Sequence, residues 1–417
     1  MKTRGIAGAL LAAGLLVAGA GCDPAWAEAQ FIEVVAGGGE NDGGAAADAF
    51  IDGRLVDMVA GRDGVLRVLT EQKDVLTLWA VRDGQLGKVT VPDLKADYIS
   101  QVAAGPGDTV YAAMWNGDGG VWQIKADGSV AQKVGIDRDT YRGDRKPAAD
   151  GAAVAGAYVR YLHGVAVTAD DRLYFAEERI EPVTHQLVRT VQDGKLKTVL
   201  GRDLTGLTER QWRSARTTTG FPAETPGPQI AVENGLNDPL ALGPDGTLYA
   251  APGRRSVVAV RPNGLAHEVI GNTGGGYDED AEPPEEPFLD RGPAKKARVN
   301  LTGTGSARLG QSNASLVTDA DGDLYLTSVH SESDFLPDSF AWTGDVTDTQ
   351  RELLERSKKQ RRGDTEILRV RKDGSLSTVA GHADAVAVQG EWIYLARAFT
   401  DVDNNPRVIV VRTEVVG

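Results

Sequence analysis

After residue 31 the chain is built from short runs in which apolar and polar residues alternate, each bounded by Gly, Pro, Asp or Asn. Alternation with period two marks half-buried β-strands. The runs recur in one order. An apolar strand and a tight turn lead into Leu-Tyr with further apolar residues. A third strand, an Asp-Gly pair and a fourth strand ending near Gly complete the unit. The clearest copy starts at Pro239, passes through Leu248-Tyr249, Val257–Val260 and Asn263-Gly264, and ends at Gly271. The same frame fits Val102 to Gly135, Gly164 to Gly201 and Ser315 to Gly381. Repeated four-stranded units predict an all-β fold, a β-propeller.

Two positions give the frame chemical meaning. Asp83-Gly84, Asp127-Gly128, Asp193-Gly194, Asn263-Gly264 and Asp373-Gly374 each separate two alternating runs. Such pairs accept positive φ and so favour tight hairpins. Tyr111, Tyr174, Tyr249, Tyr325 and Tyr394 each follow an aliphatic residue on the second strand. They are expected to pack between blades rather than to stack on a ligand. A last unit has three strands, Asp384 to Val388, Trp392 to Ala396 and Arg407 to Thr413. Its missing fourth strand matches Phe31 to Ala36, which is expected to close the ring and remove an exposed edge. Blade one then starts near Leu55, giving six blades.

The connections also repeat. Asp42-Gly-Gly-Ala-Ala-Ala-Asp-Ala, Asp150-Gly-Ala-Ala-Val-Ala-Gly-Ala and Arg291-Gly-Pro-Ala-Lys-Lys-Ala-Arg share a small-residue core. With the Leu-Tyr frame and the closing Thr-Val-Ala-Gly, the chain resembles bacterial NHL repeats over nearly all of residues 31 to 417. Blade one departs from that pattern, with Leu66-Arg67 where the others have Leu-Tyr or its like. Two insertions interrupt the repeat. Residues 271 to 300, acidic and proline-rich, are expected to be an exposed loop without regular structure. Residues 331 to 364 fall between the second and third strands of blade five. There Thr347 to Arg361 reads as a capped helix with thin apolar content, a surface decoration.

Residues 1 to 27 read as a signal peptide: Lys2 and Arg4, then an apolar stretch from Ile6 to Ala20. Gly19-Ala20-Gly21-Cys22 resembles a lipobox in which Cys22, the sole cysteine, would carry lipid. Ala25-Trp26-Ala27 offers ordinary cleavage and free secretion instead. Export is expected either way, with the membrane reached only through a lipid anchor. A formal net charge of −14 leaves no basic surplus to neutralise phosphates, so a nucleic-acid partner is not expected. A monomer is expected.

Propeller sites usually lie at one mouth of the central channel. Aligning the units on Leu-Tyr places Asp57, Ser100, His163, Asn237, Asp238, Asn313, Ser315, His382 and Asp384 there. Carboxylates with amides suit calcium, and imidazoles with a carboxylate suit zinc. The alternative is that Asp and Asn before a strand serve turns and that histidines are hydrogen-bonded structure. Other motifs are weak. Asp319-Ala-Asp321-Gly322-Asp323 has a misplaced glycine for a calcium loop and fits a hairpin turn better. Gly303-Thr-Gly305 lacks dinucleotide spacing. His185, His267 and His330 fall on or beside outer strands and receive no role.

Two functions compete. One is a binding or scaffold module at the cell surface, taking a protein, peptide or glycan, with Trp115, Trp212 and Trp342 as candidate contacts. The other is a metal-assisted enzyme, a function the NHL resemblance implies because related propellers include lactonases of the gluconolactonase type, the amidating lyase of peptide processing and streptogramin lyases, although their motifs are not recognisable here. His163 or His382 would then be the base, and Asp238 or Asp384 a metal ligand.

Overall fold

In the computed structural model, the described residues are 32–39, 44–95, 98–115, 120–136, 146–159, 161–180, 184–208, 210–211, 224–232, 239–251, 256–270, 291–296, 299, 315–330, 346–360, 364–381 and 383–414. They form six antiparallel sheets in a ring. The chain is a six-bladed β-propeller.

The N-terminal strands are β1 (Glu33–Ala36) and β2 (Ile51–Asp52). Blade one comprises β3 (Arg54–Ala60), β4 (Leu66–Gln72), β5 (Val75–Arg82) and β6 (Gln85–Val91). Blade two follows with β7 (Ile99–Ala104), β8 (Val110–Met114), β9 (Val121–Ile124) and β10 (Val130–Val134). Blade three has β11 (Leu162–Val167), β12 (Leu173–Arg179), β13 (His185–Gln192) and β14 (Lys195–Leu200). In blade four, β15 (Thr225–Pro226) precedes β16 (Leu240–Leu242), β17 (Leu248–Ala250), β18 (Val257–Val260) and β19 (Leu265–Ile270). Blade five likewise has β20 (Arg291–Pro293) before β21 (Leu316–Thr318), β22 (Leu324–His330), β23 (Asp364–Val370) and β24 (Ser375–Gly381). Blade six ends the chain with β25 (Ala385–Gln389), β26 (Trp392–Thr400) and β27 (Pro406–Glu414).

The N-terminal strand closes the ring: β1 pairs antiparallel with β27, Glu33 opposite Arg412 and Ala36 opposite Val410. The Asp-Gly pairs sit in the hairpins between third and fourth strands, in two geometries. Asp83 and Gly84 both have positive φ (50° and 73°), as do Asp193 and Gly194 (51° and 69°). That is the two-residue turn whose twist matches the strands. In blades two, four and five only the glycine is left-handed. There the Asp127, Asn263 and Asp373 side chains accept the backbone N–H two residues on.

Buried apolar residues gather in six clusters, one between each pair of neighbouring blades. Each repeat tyrosine lies in the cluster between its own blade and the next, as Tyr111 does against Phe175 and Val165. The Tyr111 hydroxyl also reaches Asp171 of blade three at 2.6 Å, and burial with that carboxylate beside it pushes the phenol above its ordinary range. Blade one has no tyrosine, and Arg67 takes over its task. Its guanidinium donates to Asp108 of blade two at 3.0 Å, from the matching position, while also holding Asp63 at 2.7 Å. The Arg67 hydrogen bonds keep the Asp63 carboxyl well below the usual carboxylate range.

The repeated small-residue connections have a common structural purpose. In blades one, three, four and five the incoming segment lies along the outermost strand and donates to the carbonyl of its turn glycine. These bonds run from Ala46 to Gly84 (2.8 Å), Val154 to Gly194 (2.9 Å), Gly227 to Gly264 (3.0 Å) and Ala294 to Gly374 (2.8 Å). The segment thus covers an edge that would otherwise invite pairing. Residues 291–296 supply one of these covers, so this end of the 271 to 300 insertion is ordered and Ala294 is buried. The expectation of an irregular loop fails there because three residues pair with β24. Residues 271 to 290 lie outside the described residues.

The helix of the second insertion, α1 (Asp348–Lys359), begins with the expected Thr347 cap, reciprocated by Gln350. It is more than a surface decoration. Gln350, Leu354 and Ser357, spaced on one helical face, are buried, Leu354 in the apolar cluster between blades five and six. Gln350 donates to Ala47 O of the N-terminal connection, and Gln360 exchanges hydrogen bonds with Thr400 of the last hairpin. Leu354 shares a cluster with Ile32 and Val34 as well as Ile409 and Val411. The helix therefore grips both halves of the ring closure.

Candidate functional site

At the mouth, each innermost strand meets its neighbours as an edge strand whose inward amides need partners. The inner strands of blades one, two and three open with a bulge, at Val56, Ser100 and His163, where the pairing register shifts. A bulge re-aims one side chain and moves the next residue by one place. That shift decides the fate of the mouth residues.

Asp57 follows the bulge in blade one. Its Oδ1 accepts from Met58 N and its Oδ2 from Val102 N of blade two, both at 2.8 Å. Burial pushes this carboxyl up to about 7, against the pull of those two amides. In blade two the equivalent residue is Gln101. Its Oε1 accepts from Val165 N of blade three (2.8 Å) and Leu240 N of blade four (3.0 Å), and its Nε2 donates to Leu240 O (2.9 Å). Ser315, the equivalent in blade five, accepts from Val386 N of blade six at 3.3 Å. Thr318 donates to Leu242 O of blade four, and Gln389 to Gly61 O of blade one. Side chains thus stitch the inner strands around the ring. Gln101 was absent from the sequence alignment because the bulge places it one residue beyond Ser100. Its signal was a polar residue at the matching place in three units.

Ser100 donates to Ala113 O (3.1 Å) and Leu162 O (2.7 Å), a further tie between blades two and three. Asp384 Oδ2 accepts from Ala398 N within blade six. The polar groups of Asp57, Ser100 and Ser315 are therefore engaged with backbone. His163 differs. It is buried (6% exposed), and its Nε2 lies 2.8 Å from Glu178 Oε2. Glu178 N in turn donates to Tyr161 O, and Tyr161 carries a φ of 44°, strained for a bulky side chain. One blade away, Tyr98 and Trp115 pair edge to face at 6.1 Å, both partly exposed.

Asn237, Asp238, Asn313 and His382 lie outside the described residues, as do Cys22 and the rest of residues 1 to 31, Trp212 and Trp342. Among the described residues no three His, Cys, Asp or Glu side chains gather as a metal ion would require. The Asp319 to Asp323 loop is a hairpin turn: Gly322 has φ 86°, and Asp323 binds Arg369. His185 is buried and accepts from Leu204 N, a structural bond. Beside it Arg179 and Arg189 flank buried Glu177 and both donate to Ala148 O, tying the connection before blade three to its sheet.

No family model matches the chain, and no curated protein matches it. Solved structures do. An auxiliary nutrient binding protein from Bacteroides thetaiotaomicron is 11% identical, with 92% of this chain and 76% of that one covered and a TM-score of 0.46. A PQQ-bound aldose sugar dehydrogenase from Streptomyces coelicolor is 11% identical over 93% and 100%, with a TM-score of 0.40. A putative gluconolactonase is 10% identical over 94% and 96%, with a TM-score of 0.40. At such identities the likeness concerns fold alone.

Proposed function

We propose that this protein is an exported NHL-like propeller, anchored through Cys22, that acts as a binding or scaffold module for a protein, peptide or glycan at the cell surface. One observation carries the reading. The described large apolar side chains that stay exposed are Val75 (44%), Ile180 (41%) and Val402 (74%). All three lie on hairpins between second and third strands, the end of each sheet where the innermost strand begins. The α1 insertion belongs to the same set of hairpins. Scattered exposed apolar residues are ordinary, but confinement to one face elaborated by insertions is what a recognition surface requires. The edge-covering connections support the NHL-like reading.

The engagement of Asp57, Ser100 and Ser315 with backbone favours this reading over a metal-assisted enzyme built from the mouth residues. The test pairs two assays on the mature protein. One probes arrays of glycans, peptides and envelope proteins with labelled protein. The other follows lactone hydrolysis with added calcium or zinc. Saturable array binding without turnover supports the module, whereas metal-dependent turnover abolished by His163→Ala overturns it. Labelled fatty-acid incorporation in the native host, lost in Cys22→Ser, tests the anchor.

A further inference from the structure

We propose that the rim of blades two and three, formed by Tyr98, Trp115, Tyr161, His163 and Glu178, is a subsite for a neutral carbohydrate. The inference rests on the binding-module reading and names the ligand class of that face.

These residues are neighbours by construction. Trp115 N donates to Tyr98 O just as Glu178 N donates to Tyr161 O, so the two pairs occupy equivalent places on adjacent blades. The Ser100 hydroxyl, two residues beyond Tyr98, touches Leu162 O, between Tyr161 and His163. Two residues of strand span about 7 Å, which sets the two pairs side by side along one stretch of rim, within the span of a ligand of two or three sugar rings.

The chemistry is of two kinds, side by side. Tyr98 and Trp115 are partly exposed aromatic side chains in edge-to-face contact. His163 and Glu178 are held by each other through one atom apiece, Nε2 and Oε2. Neither side chain makes a second hydrogen bond among the described residues, which leaves His163 Nδ1 and Glu178 Oε1 without partners. The imidazole is nine-tenths buried, yet its Nδ1 is not sealed from solvent and can meet a ligand. The left-handed Tyr161 beside it is the kind of strained position that collects at binding sites.

An oligosaccharide matches both halves, with the C–H face of one ring on the aromatic side chains and the hydroxyls of a neighbouring ring on the imidazole and carboxylate. An anionic ligand would meet the Glu178 carboxylate. An extended peptide would need inner-strand amides, and those of Val102, Val165, Leu240 and Val386 are already taken by Asp57, Gln101 and Ser315. The observations therefore favour the sugar.

The experiment is a titration of the mature protein with N-acetylglucosamine, galactose, mannose, their trisaccharides and glucuronate, read by tryptophan fluorescence and calorimetry. A neutral sugar should bind saturably and more tightly than glucuronate. Trp115→Ala and Glu178→Gln should each weaken it about tenfold, the equivalent of one good aromatic or hydrogen-bond contact. Trp115→Phe should retain most of the affinity, and unfolding curves of all three variants should match the parent, which separates lost contact from lost fold. Saturable sugar binding that ignores both Trp115→Ala and Glu178→Gln overturns the subsite. So does the absence of sugar binding while peptides or proteins bind the face, an outcome that leaves the module reading intact. If no ligand of any class binds and lactone is turned over, the module reading fails as well.

Discussion

Gln101→Leu should destabilise this propeller far more than a polar-to-apolar change at a channel usually does. The substitution conserves length and volume, so packing is little altered. What it removes is the partner of three backbone groups on two other blades: Val165 N–H, Leu240 N–H and Leu240 C=O. The side chain is 6% exposed, so water cannot readily replace it, and leucine fills the space water would need. Each buried group left without a partner costs about 1–3 kcal/mol. At the low end of that range the loss is about 3 kcal/mol, a large share of an ordinary domain's stability. Gln101→Ala should cost less, because its smaller side chain admits water to the same groups. Urea unfolding of both variants, compared at unchanged slope, measures the difference. If Gln101→Leu lies within about 0.5 kcal/mol of the parent, as an unremarkable surface change would, the stitching account is wrong.

Three further outcomes are expected. Asp57, whose carboxyl is pushed up to about 7 in the fold, holds a proton that the unfolded chain releases near the ordinary aspartate value of 3.8. Its contribution is therefore full below about pH 4 and declines as pH rises to about 7. Stability relative to Asp57→Asn should fall by as much as about 4 kcal/mol across that window, and a difference that is flat or rises with pH contradicts the burial argument. Leu354→Ala should cost about 2–4 kcal/mol by opening a cavity under α1, and should speed proteolysis near β1 by loosening the ring closure. Arg67→Ala should cost about 2 kcal/mol, discounted for the half-exposed Asp108, while Arg67→Tyr should recover more than half of it by placing a hydroxyl where Tyr111 has one; thermal unfolding reads both.

The architecture was legible because its signals are local. Alternation, Asp-Gly turns and a tyrosine at one place in five units are each readable within a few residues, and ring closure follows from the three-stranded last unit. What escaped was set by neighbours in space. Bulges at Ser100 and His163 shift register by one residue, and no composition signal marks them. Gln101 was missed on that account, while Asp57 and Ser315 were found but with ligands in mind rather than backbone amides. α1 looked too polar to pack, yet a few residues on one face suffice when the surface beneath is the seam between the chain's two ends. Arg67 looked like a departure from the repeat and proves to preserve its inter-blade bond. Of the mouth residues, His163 alone among those described keeps an open polar atom, and only the geometry of Glu178 distinguishes it from Ser100.

The central claim is that the mouth's acidic and hydroxyl side chains hold the ring together while recognition belongs to the rim. The most direct measurement is thermal unfolding of chelator-stripped mature protein titrated with calcium and zinc. A ligand at 100 times its dissociation constant adds about 2.7 kcal/mol to a folded state it alone occupies, a plainly visible shift. The account predicts no saturable shift that depends on Asp57 or His163, together with loss of stability in Asp57→Asn and Gln101→Leu with or without metal. A saturable rise with either ion that Asp57→Ala or His163→Ala abolishes would contradict it.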